Sequence, residues 1–349
     1  MGVRRFVPME ALWSMPVEVP VSLLLQDEDL AWSCGQLALD QAGAVLHPDD
    51  LAEQSRTVCD YIDLIRTRAD LAPSSLRRVL LYHVPVSAEA VADMLRRFRE
   101  RFGETVLLDP IAVPHFYYPG VLLECDVFFD AGPGDTTDGN AVRVRMGRDL
   151  AWVSVDASGG LAAALAELEP TLAAAGLEAD ACLSEHWYSP RSSIDDVRRT
   201  LAASGWTSGG HVIESSGAAS ARGVLVFART SLEQNTTVEA DGTVLTVRRA
   251  GGMTWVHGRS TDANASLVAQ TEQIMDRIAG LLPSLGLSFD DSAKCTAHYV
   301  GDDSPEALHG NLAVRNRNYA GSGLASTGLP VAGFADDRSR ISVDLTFRR

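Results

Sequence analysis

Two acidic residues, Glu124 and Asp126, lie two positions apart in the apolar stretch GVLLECDVFF that begins at Gly120. In a β-strand, side chains two residues apart point to the same face and lie about 6–7 Å apart. In a poorly hydrated cleft two such carboxylates repel each other, so one pKa rises and the groups divide into an acid and a base. The pair predicts catalysis by proton transfer, water activation or elimination. The alternative is a structural acid at the edge of the core, hydrogen-bonded to backbone.

A second stretch, AWSCGQLALD from Ala31, places Cys34, Gly35 and Gln36 directly after Trp32. Cys34 is a candidate nucleophile or a soft contact to a ligand, although a lone cysteine on a strand is usually inert packing. The amide of Gln36 is suited to orient a ligand or the backbone. We predict a substrate-binding role for these three residues.

The tryptophan recurs in LAWVSVDA and MTWVHGRSTD, at Trp152 and Trp255. In the last stretch His257 and Arg259 occupy the positions of the cysteine and the glutamine. They share a strand face and are predicted to line another cleft. Arg259 is then an anion binder or, alternatively, a solvated or salt-bridged side chain. Arg229 aligns with the second acid of ECD and is a further candidate for substrate binding.

Each tryptophan stretch is followed by the same order of elements. In the first third, helical periodicity is predicted over 49–69 and 87–102, with an apolar strand over 78–86 between the two helices. The anchor GVLLECDVFF has counterparts in GVLVFART and RISVDLTF. The chain therefore reads as three β-β-α-β-α-β-β units, over 1–131, 140–230 and 231–349, with a Gly/Asp/Thr-rich linker at 130–140.

Such a unit covers one face of its sheet with two helices and leaves the other face apolar. Three units packed around an axis bury those faces against one another. We predict an α+β protein whose three tandem units form an intramolecular pseudo-trimer, and hence a monomer with internal pseudo-threefold symmetry.

Composition limits the partners. The chain has 349 residues and a net charge of −16, which opposes binding to nucleic acid. Its five cysteines include no CxxC pair, as expected for reduced thiols in a cytosol. No apolar run reaches the roughly 18 residues of a membrane span, and Pro and Glu interrupt the N-terminal apolar runs. We expect a cytoplasmic protein that contacts neither membrane nor nucleic acid.

Histidines occur in the three middle strands, at His83, His186 and His298. Three histidines around a pseudo-threefold axis would indicate a metal or a central polar cluster. The register is imperfect, because Tyr82 and not His83 aligns with His298. The sequence therefore predicts no metal and no organic cofactor.

CGQLALD, the helix after it and YYPGVLLECDVFF resemble the RidA family, also called YjgF or UK114, and HGRSTD, LVAQTEQIMDRIAGLL and LPVAGF resemble it in the third unit. The resemblance implies the RidA (chorismate-mutase-like) fold and hydrolysis of reactive enamines and imines in clefts between units. The family's glutamate maps onto Glu124, and onto Phe227 and Ser342 in the other units, so one cleft keeps the acid. The family's carboxylate-binding arginine is absent from its expected windows, LLDPIAVPHF, SGGHVIESS and GLASTGLPV.

Three functions remain open at this point. The first is a RidA-like enzyme that uses Glu124 to hydrolyse or isomerise an imine, an enamine or a related conjugated small molecule. The second is a lyase similar to the chorismatases, which share the tandem arrangement and release pyruvate, although their acid lies where this chain has Ser342. The third is a non-catalytic ligand-binding or scaffold protein, favoured by the missing arginine.

Overall fold

Each third of the chain forms one β-sheet with two helices. The computed structural model describes residues 4–13, 19–132, 134–206, 211–301, 304–319 and 323–349. Within these ranges there are three sheets and six α-helices, which confirms the α+β prediction. No helix in these ranges has both the length and the apolarity needed to cross a membrane.

The first unit builds a sheet in the order β1-β2-β3-β7-β5-β6, and β4 pairs with β7. Helix α1 begins where the side chain of Asp50 accepts a hydrogen bond from the N–H of Glu53, and α2 begins where Ser87 does the same for Ala90. The elements are β1 Arg5–Pro8, β2 Ser22–Asp27, β3 Leu30–Ser33, β4 Gln36–Leu37, α1 Leu51–Arg68, β5 Leu76–His83, α2 Ala88–Phe102, β6 Leu107–Ala112 and β7 Leu123–Asp130.

The second unit starts earlier than the sequence suggested. Its first strand, β8, lies inside the segment predicted to be a linker, because the backbone of Thr136–Asp138 pairs with β9. The elements are β8 Thr136–Asp138, β9 Val142–Met146, β10 Leu150–Asp156, α3 Leu161–Ala174, β11 Cys182–Ser189, α4 Ile194–Ala203, β12 His211–Glu214 and β13 Arg222–Ala228.

The third unit repeats the same order with a longer first hairpin. Its sheet runs β14-β15-β16-β20-β17-β18, while its short strand β19 pairs with β12 of the second unit. The elements are β14 Gln234–Ala240, β15 Thr243–Ala250, β16 Met253–Ser260, α5 Leu267–Leu281, β17 Ser292–Tyr299, α6 Pro305–Asn316, β18 Ala325–Pro330, β19 Gly333–Phe334 and β20 Ile341–Arg348. The second and third units thus have three strands before their first helix and the first unit has four, counting the short β4, where two were predicted.

The repeated tryptophans set a common register for the three sheets. Trp32 lies opposite Phe128, Trp152 opposite Val226, and Trp255 opposite Thr346. Counting back four residues from these partners gives Glu124, Arg222 and Ser342 as equivalent positions.

This register corrects two parts of the sequence alignment. The second-unit equivalent of Glu124 is Arg222, so its alignment with Phe227 is wrong. The equivalent of Asp126 is Val224, so Arg229 is not its counterpart. The assignment of Ser342 in the third unit agrees with the register.

The inner faces of the three sheets share one core. This central cluster takes buried residues from every unit, among them Trp32, Trp152 and Met253, while the helix-covered faces pack in three further clusters, each centred on one unit. The chain is therefore a pseudo-trimer, with clefts where one unit meets the next.

Candidate active site between the first and third units

A buried cavity lies where the first unit meets the third. The first unit contributes the end of β3, the start of β7 and the loop before β7, and the third unit contributes α6 and β18. Its wall combines aliphatic and aromatic side chains with a few polar ones. The residues used below are Trp13, Cys34, Gly35, Phe116, Tyr117, Tyr118, Glu124, Tyr299, Arg315 and Thr327.

Glu124 is the acid of this cavity. It lies on the central strand β7, where Leu37 and Tyr82 are its backbone neighbours on either side, and it is 7% exposed. Burial, and secondarily the charge of Asp126, raise the pKa of the Glu124 carboxyl to about 8, while Lys294 acts in the opposite direction. The carboxyl group is therefore mostly protonated at neutral pH and is poised to donate a proton.

Gly35 makes room for that carboxyl group. A Cβ atom at this position would lie 1.7 Å from Oε1 of Glu124 and 2.6 Å from its Cδ. Any other residue at position 35 therefore displaces the acid from its place. The predicted binding residue Gly35 does line the cavity, and its lack of a side chain is what matters there.

Asp126 has a different environment from its neighbour. Its Oδ1 accepts hydrogen bonds from Nζ of Lys294 at 2.9 Å and from Oγ1 of Thr327 at 2.6 Å. It is fully buried and is not part of the cavity wall. The two acids therefore do not form a pair open to one ligand: Glu124 faces the cavity, and Asp126 joins the two units and acts on Glu124 through its charge.

Cys34 and Gln36 also separate. Cys34 lines the cavity, and burial raises the pKa of its thiol to about 12, which disfavours the thiolate that a nucleophile needs. Gln36 is fully buried behind it. The Nε2 of Gln36 donates to the carbonyl oxygen of Cys34 at 2.9 Å, so its amide fixes the backbone at the end of β3.

Arg315 is the cavity residue that the sequence did not indicate. Its guanidinium group is fully buried, donates to Oδ1 of Asn311 at 2.9 Å and to Oγ of Ser326 at 3.2 Å, and lines the cavity. Among the described residues no carboxylate forms an ion pair with it. The family-based windows were correctly read as free of arginine, although residues 208–210 of the second window lie outside the described ranges.

Three other predicted binding residues lie away from this cavity. Nδ1 of His257 contacts Oδ1 of Asp344 at 2.8 Å, and Arg259 forms an ion pair with Asp336 at 2.6 Å. Arg229 donates to the carbonyl oxygen of Gly147 at 3.0 Å. These contacts are structural, and none of the three side chains reaches Glu124.

The acid is present at one of the three equivalent positions. At the second, Arg222 pairs with Asp156 at 3.1 Å and with Asp109 at 3.5 Å. At the third, Ser342 is fully buried. Carboxylate chemistry at this strand position is therefore restricted to the cleft between the first and third units.

Comparison with known proteins gives matches in structure alone, because no protein-family model and no curated protein matches the sequence. A crystal structure of chorismatase is similar with a TM-score of 0.53 and 12% identity, over 78% of this chain and 93% of that chain. A Mycobacterium tuberculosis member of the YjgF/YER057c/UK114 family matches with a TM-score of 0.29 and 18% identity, over 37% of this chain and 99% of its own. A Yersinia pestis Rid-family protein of unknown function matches with a TM-score of 0.32 and 15% identity, over 37% of this chain and 99% of its own. Topology and the chorismatase superposition together confirm the predicted resemblance: the chain has the chorismatase fold, built from three tandem RidA-like units.

Proposed function

We propose that the chain is a small-molecule enzyme whose Glu124 cavity protonates and hydrolyses an unsaturated carboxylate carrying nitrogen on its double bond. The observation that carries this proposal is the presence, in one cavity, of a buried protonated acid and a buried guanidinium that pairs with no carboxylate of the described residues.

The charge of Arg315 supports a carboxylate-bearing substrate. A buried cation is costly to the fold unless an anion or several hydrogen bonds compensate it. Hydrogen bonds to Asn311, Ser326 and Sγ of Cys295 compensate part of this cost but provide no negative charge, and Glu124 is mostly neutral near pH 7. A substrate carboxylate bound to Arg315 would neutralise this buried positive charge. A planar guanidinium group can bind a carboxylate through two parallel hydrogen bonds.

The remaining wall favours a flat, conjugated molecule. Trp13, Phe116, Tyr117 and Tyr118 line the cavity opposite the third unit, and the rings of Tyr117 and Tyr118 meet edge to face at 4.8 Å. The hydroxyl of Tyr118 is buried and has no hydrogen-bond partner among the described residues. It is placed to bind a polar substituent of a ligand.

The chemistry follows from a protonated Glu124. For an enamine acid, the carboxyl group donates its proton to the terminal carbon of the double bond, and the nitrogen lone pair forms the new C=N bond. Water then adds to the iminium carbon while the Glu124 carboxylate accepts a proton from that water. Proton transfer to nitrogen and collapse of the tetrahedral adduct release ammonia and a 2-oxo acid. A general acid works best when its pKa lies near the working pH, as here.

An enol-ether acid is the second candidate substrate. Protonation at carbon, addition of water and collapse give a 2-oxo acid and an alcohol by the same sequence of steps. The chorismatase fold favours this candidate, and chorismate, which would release pyruvate, is the compound to test. In that reaction Glu124 acts from the first unit, since the third unit carries Ser342 at the equivalent position.

One experiment separates the candidates. Imines generated in place from amino acids by an amino-acid oxidase, and separately chorismate, are incubated with the wild-type chain while ammonia and 2-oxo acid are followed together. Glu124→Gln should abolish turnover, and the wild-type rate should fall above pH about 8, where the acid loses its proton. Glu104→Gln, an exposed matched change, should leave turnover intact. Activity retained in Glu124→Gln would refute the proposal, and saturable ligand binding without turnover in wild type would identify a binding protein instead.

A further inference from the structure

A second polar centre lies on the pseudo-threefold axis, apart from the Glu124 cavity. A central cavity is bounded by the three repeated tryptophans, one from each unit, and has a volume of about 80 Å³, several times the roughly 10–15 Å³ that one water needs. Three of its other wall residues are His186, His298 and Asp344.

These three side chains converge. One potential ligand atom of each lies within 4.8 Å of the other two, and Nε2 of His186 is 3.0 Å from Oδ2 of Asp344. These two atoms lie at ion-pair distance, and neither has a hydrogen-bond partner of good geometry among the described residues. Nδ1 of His298 is also buried and has no hydrogen-bond partner among the described residues. Three buried ligand atoms therefore converge on one space, where a shared cation would satisfy all of them.

The repeat provides an independent argument. Asp344 is the third-unit equivalent of Asp126, and the lysine that neutralises Asp126 is Lys294 on the adjoining unit. By the same register, the residue of the second unit that corresponds to Lys294 is Ser184. The interface around Asp344 therefore lacks the lysine that its counterpart uses, and offers imidazole nitrogen instead.

Asp344 and His298 each have a further contact that holds the side chain in a fixed orientation. Oδ1 of Asp344 is bound by Nδ1 of His257 at 2.8 Å, and Nε2 of His298 lies 3.0 Å from the hydroxyl of Tyr188. Metal-binding imidazoles and carboxylates commonly have such a second partner, which fixes their orientation.

We propose that His186, His298 and Asp344 bind a divalent transition metal, with Zn²⁺ as the expected ion. Two imidazoles and one carboxylate are a ligand set that zinc uses at sites with an open fourth position. Zinc–ligand bonds of about 2.0–2.2 Å require the three side chains to draw together by about 1 Å, and the cavity leaves the fourth position to water. The sequence-based prediction of no metal considered the histidines without Asp344, which is distant in sequence from both His186 and His298.

Metal binding by the full chain tests the site without reference to activity. The chain is stripped with dipicolinate, returned to chelator-free buffer and titrated with Zn²⁺, with bound zinc counted by elemental analysis. Wild type should bind about one ion per chain, and His186→Gln and Asp344→Asn should lose it. His257→Gln, which removes an outer contact, should weaken binding about 10–100-fold. His83→Gln is the matched control, a buried histidine of a middle strand outside the cluster, and should bind as wild type does.

A second measurement covers variants that do not fold. Co²⁺ bound at a tetrahedral or five-coordinate site of nitrogen and oxygen ligands gives visible d–d bands, which wild type should show at one equivalent and His298→Gln should not. Absence of these bands in wild type, or zinc retained equally in His186→Gln and Asp344→Asn, would overturn the proposal, the latter by identifying binding elsewhere on the surface.

Discussion

At the scale of single residues, Glu124 and Asp126 lie two positions apart on one strand and have different surroundings. Asp126 accepts hydrogen bonds from Lys294 and Thr327 and pairs with the lysine, whereas the described residues include no hydrogen-bond partner for the carboxyl group of Glu124. The sequence predicted a raised pKa for one of the two acids through their mutual repulsion, whereas burial is the larger cause of the raised pKa of Glu124 and the charge of Asp126 the smaller. It could not indicate which of the two, because the deciding lysine lies 168 residues away on another unit.

The raised pKa of Glu124 predicts a pH dependence of stability. Between pH about 4.5 and pH about 8 the folded chain keeps this proton and the unfolded chain loses it, so the unfolded state binds fewer protons and the free energy of unfolding falls as pH rises. At about 1.4 kcal/mol per pH unit, the loss is at most about 5 kcal/mol. Glu124→Gln should lose this part of the slope, which urea unfolding of both proteins at about pH 5 and about pH 8.5 measures. Equal slopes would contradict the burial of a neutral Glu124.

Gly35 gives a second prediction for single residues. Gly35→Ala places a methyl group where Oε1 of Glu124 lies, and the flexible carboxyl group must rotate away while the backbone stays in place. Displacing a catalytic group by about 1 Å can lower turnover on the order of 100-fold. We expect that loss in the ammonia and 2-oxo acid assay with a nearly unchanged melting temperature. Gly159→Ala, where an added Cβ meets nothing within 4 Å, is the control and should change neither.

At the scale of elements, the sequence predicted much of the order of helices and strands along the chain. It did not predict the contacts between the units. Helices predicted over 49–69 and 87–102 are found at Leu51–Arg68 and Ala88–Phe102, since polar caps and 3.6-residue periodicity are local signals. The register of β13 was misplaced because consecutive apolar residues in GVLVF satisfy several alignments. The backbone pairing with Trp152 removes that ambiguity.

Helix α6 carries the residue that sequence reasoning missed. Arg315 lies in its last turn, a position where arginine is common for reasons of helix stability alone. The resemblance directed attention to strands, whereas the cation reaches the Glu124 cavity from a helix of another unit. Arg315 is recognised as a candidate binding residue only from the structure, because it is buried and no described carboxylate pairs with it.

Replacing Arg315 should weaken substrate binding more than it slows the chemical step. Loss of a charge-assisted hydrogen bond costs about 1.5–3 kcal/mol, so Arg315→Gln should raise KM on the order of 10–100-fold with a smaller change in kcat. Arg317→Gln, two residues on and exposed beside Glu272, is the matched control and should leave KM unchanged. Steady-state kinetics on the substrate identified above decides the point. An unchanged KM in Arg315→Gln would mean that the guanidinium does not bind the substrate carboxylate.

At the scale of the whole molecule, one interface geometry recurs with different chemistry. Between the first and third units Lys294 donates to the carbonyl oxygen of Ser33 and to Asp126. Between the second and first units Arg78 takes the lysine's place and donates to the carbonyl oxygen of Val153. Because all three units are in one chain, each interface can change on its own, and a carboxylic acid can be kept in one cleft only.

The junction of the first and third units should depend strongly on the Lys294–Asp126 pair. Both side chains are nearly inaccessible, at 4% and 1% exposed, so Lys294→Met leaves a buried carboxylate without its cation and should destabilise the fold by about 3–5 kcal/mol. Replacing both members, as Lys294→Met with Asp126→Leu, removes the uncompensated charge and should recover most of that loss. Urea unfolding of the single and double variants measures the coupling, and Arg96→Ala, which breaks an exposed pair with Glu100, should change nothing measurable. A double variant as unstable as Lys294→Met would show that the lysine acts through its bonds to Ser33 and Thr327, and not by neutralising Asp126.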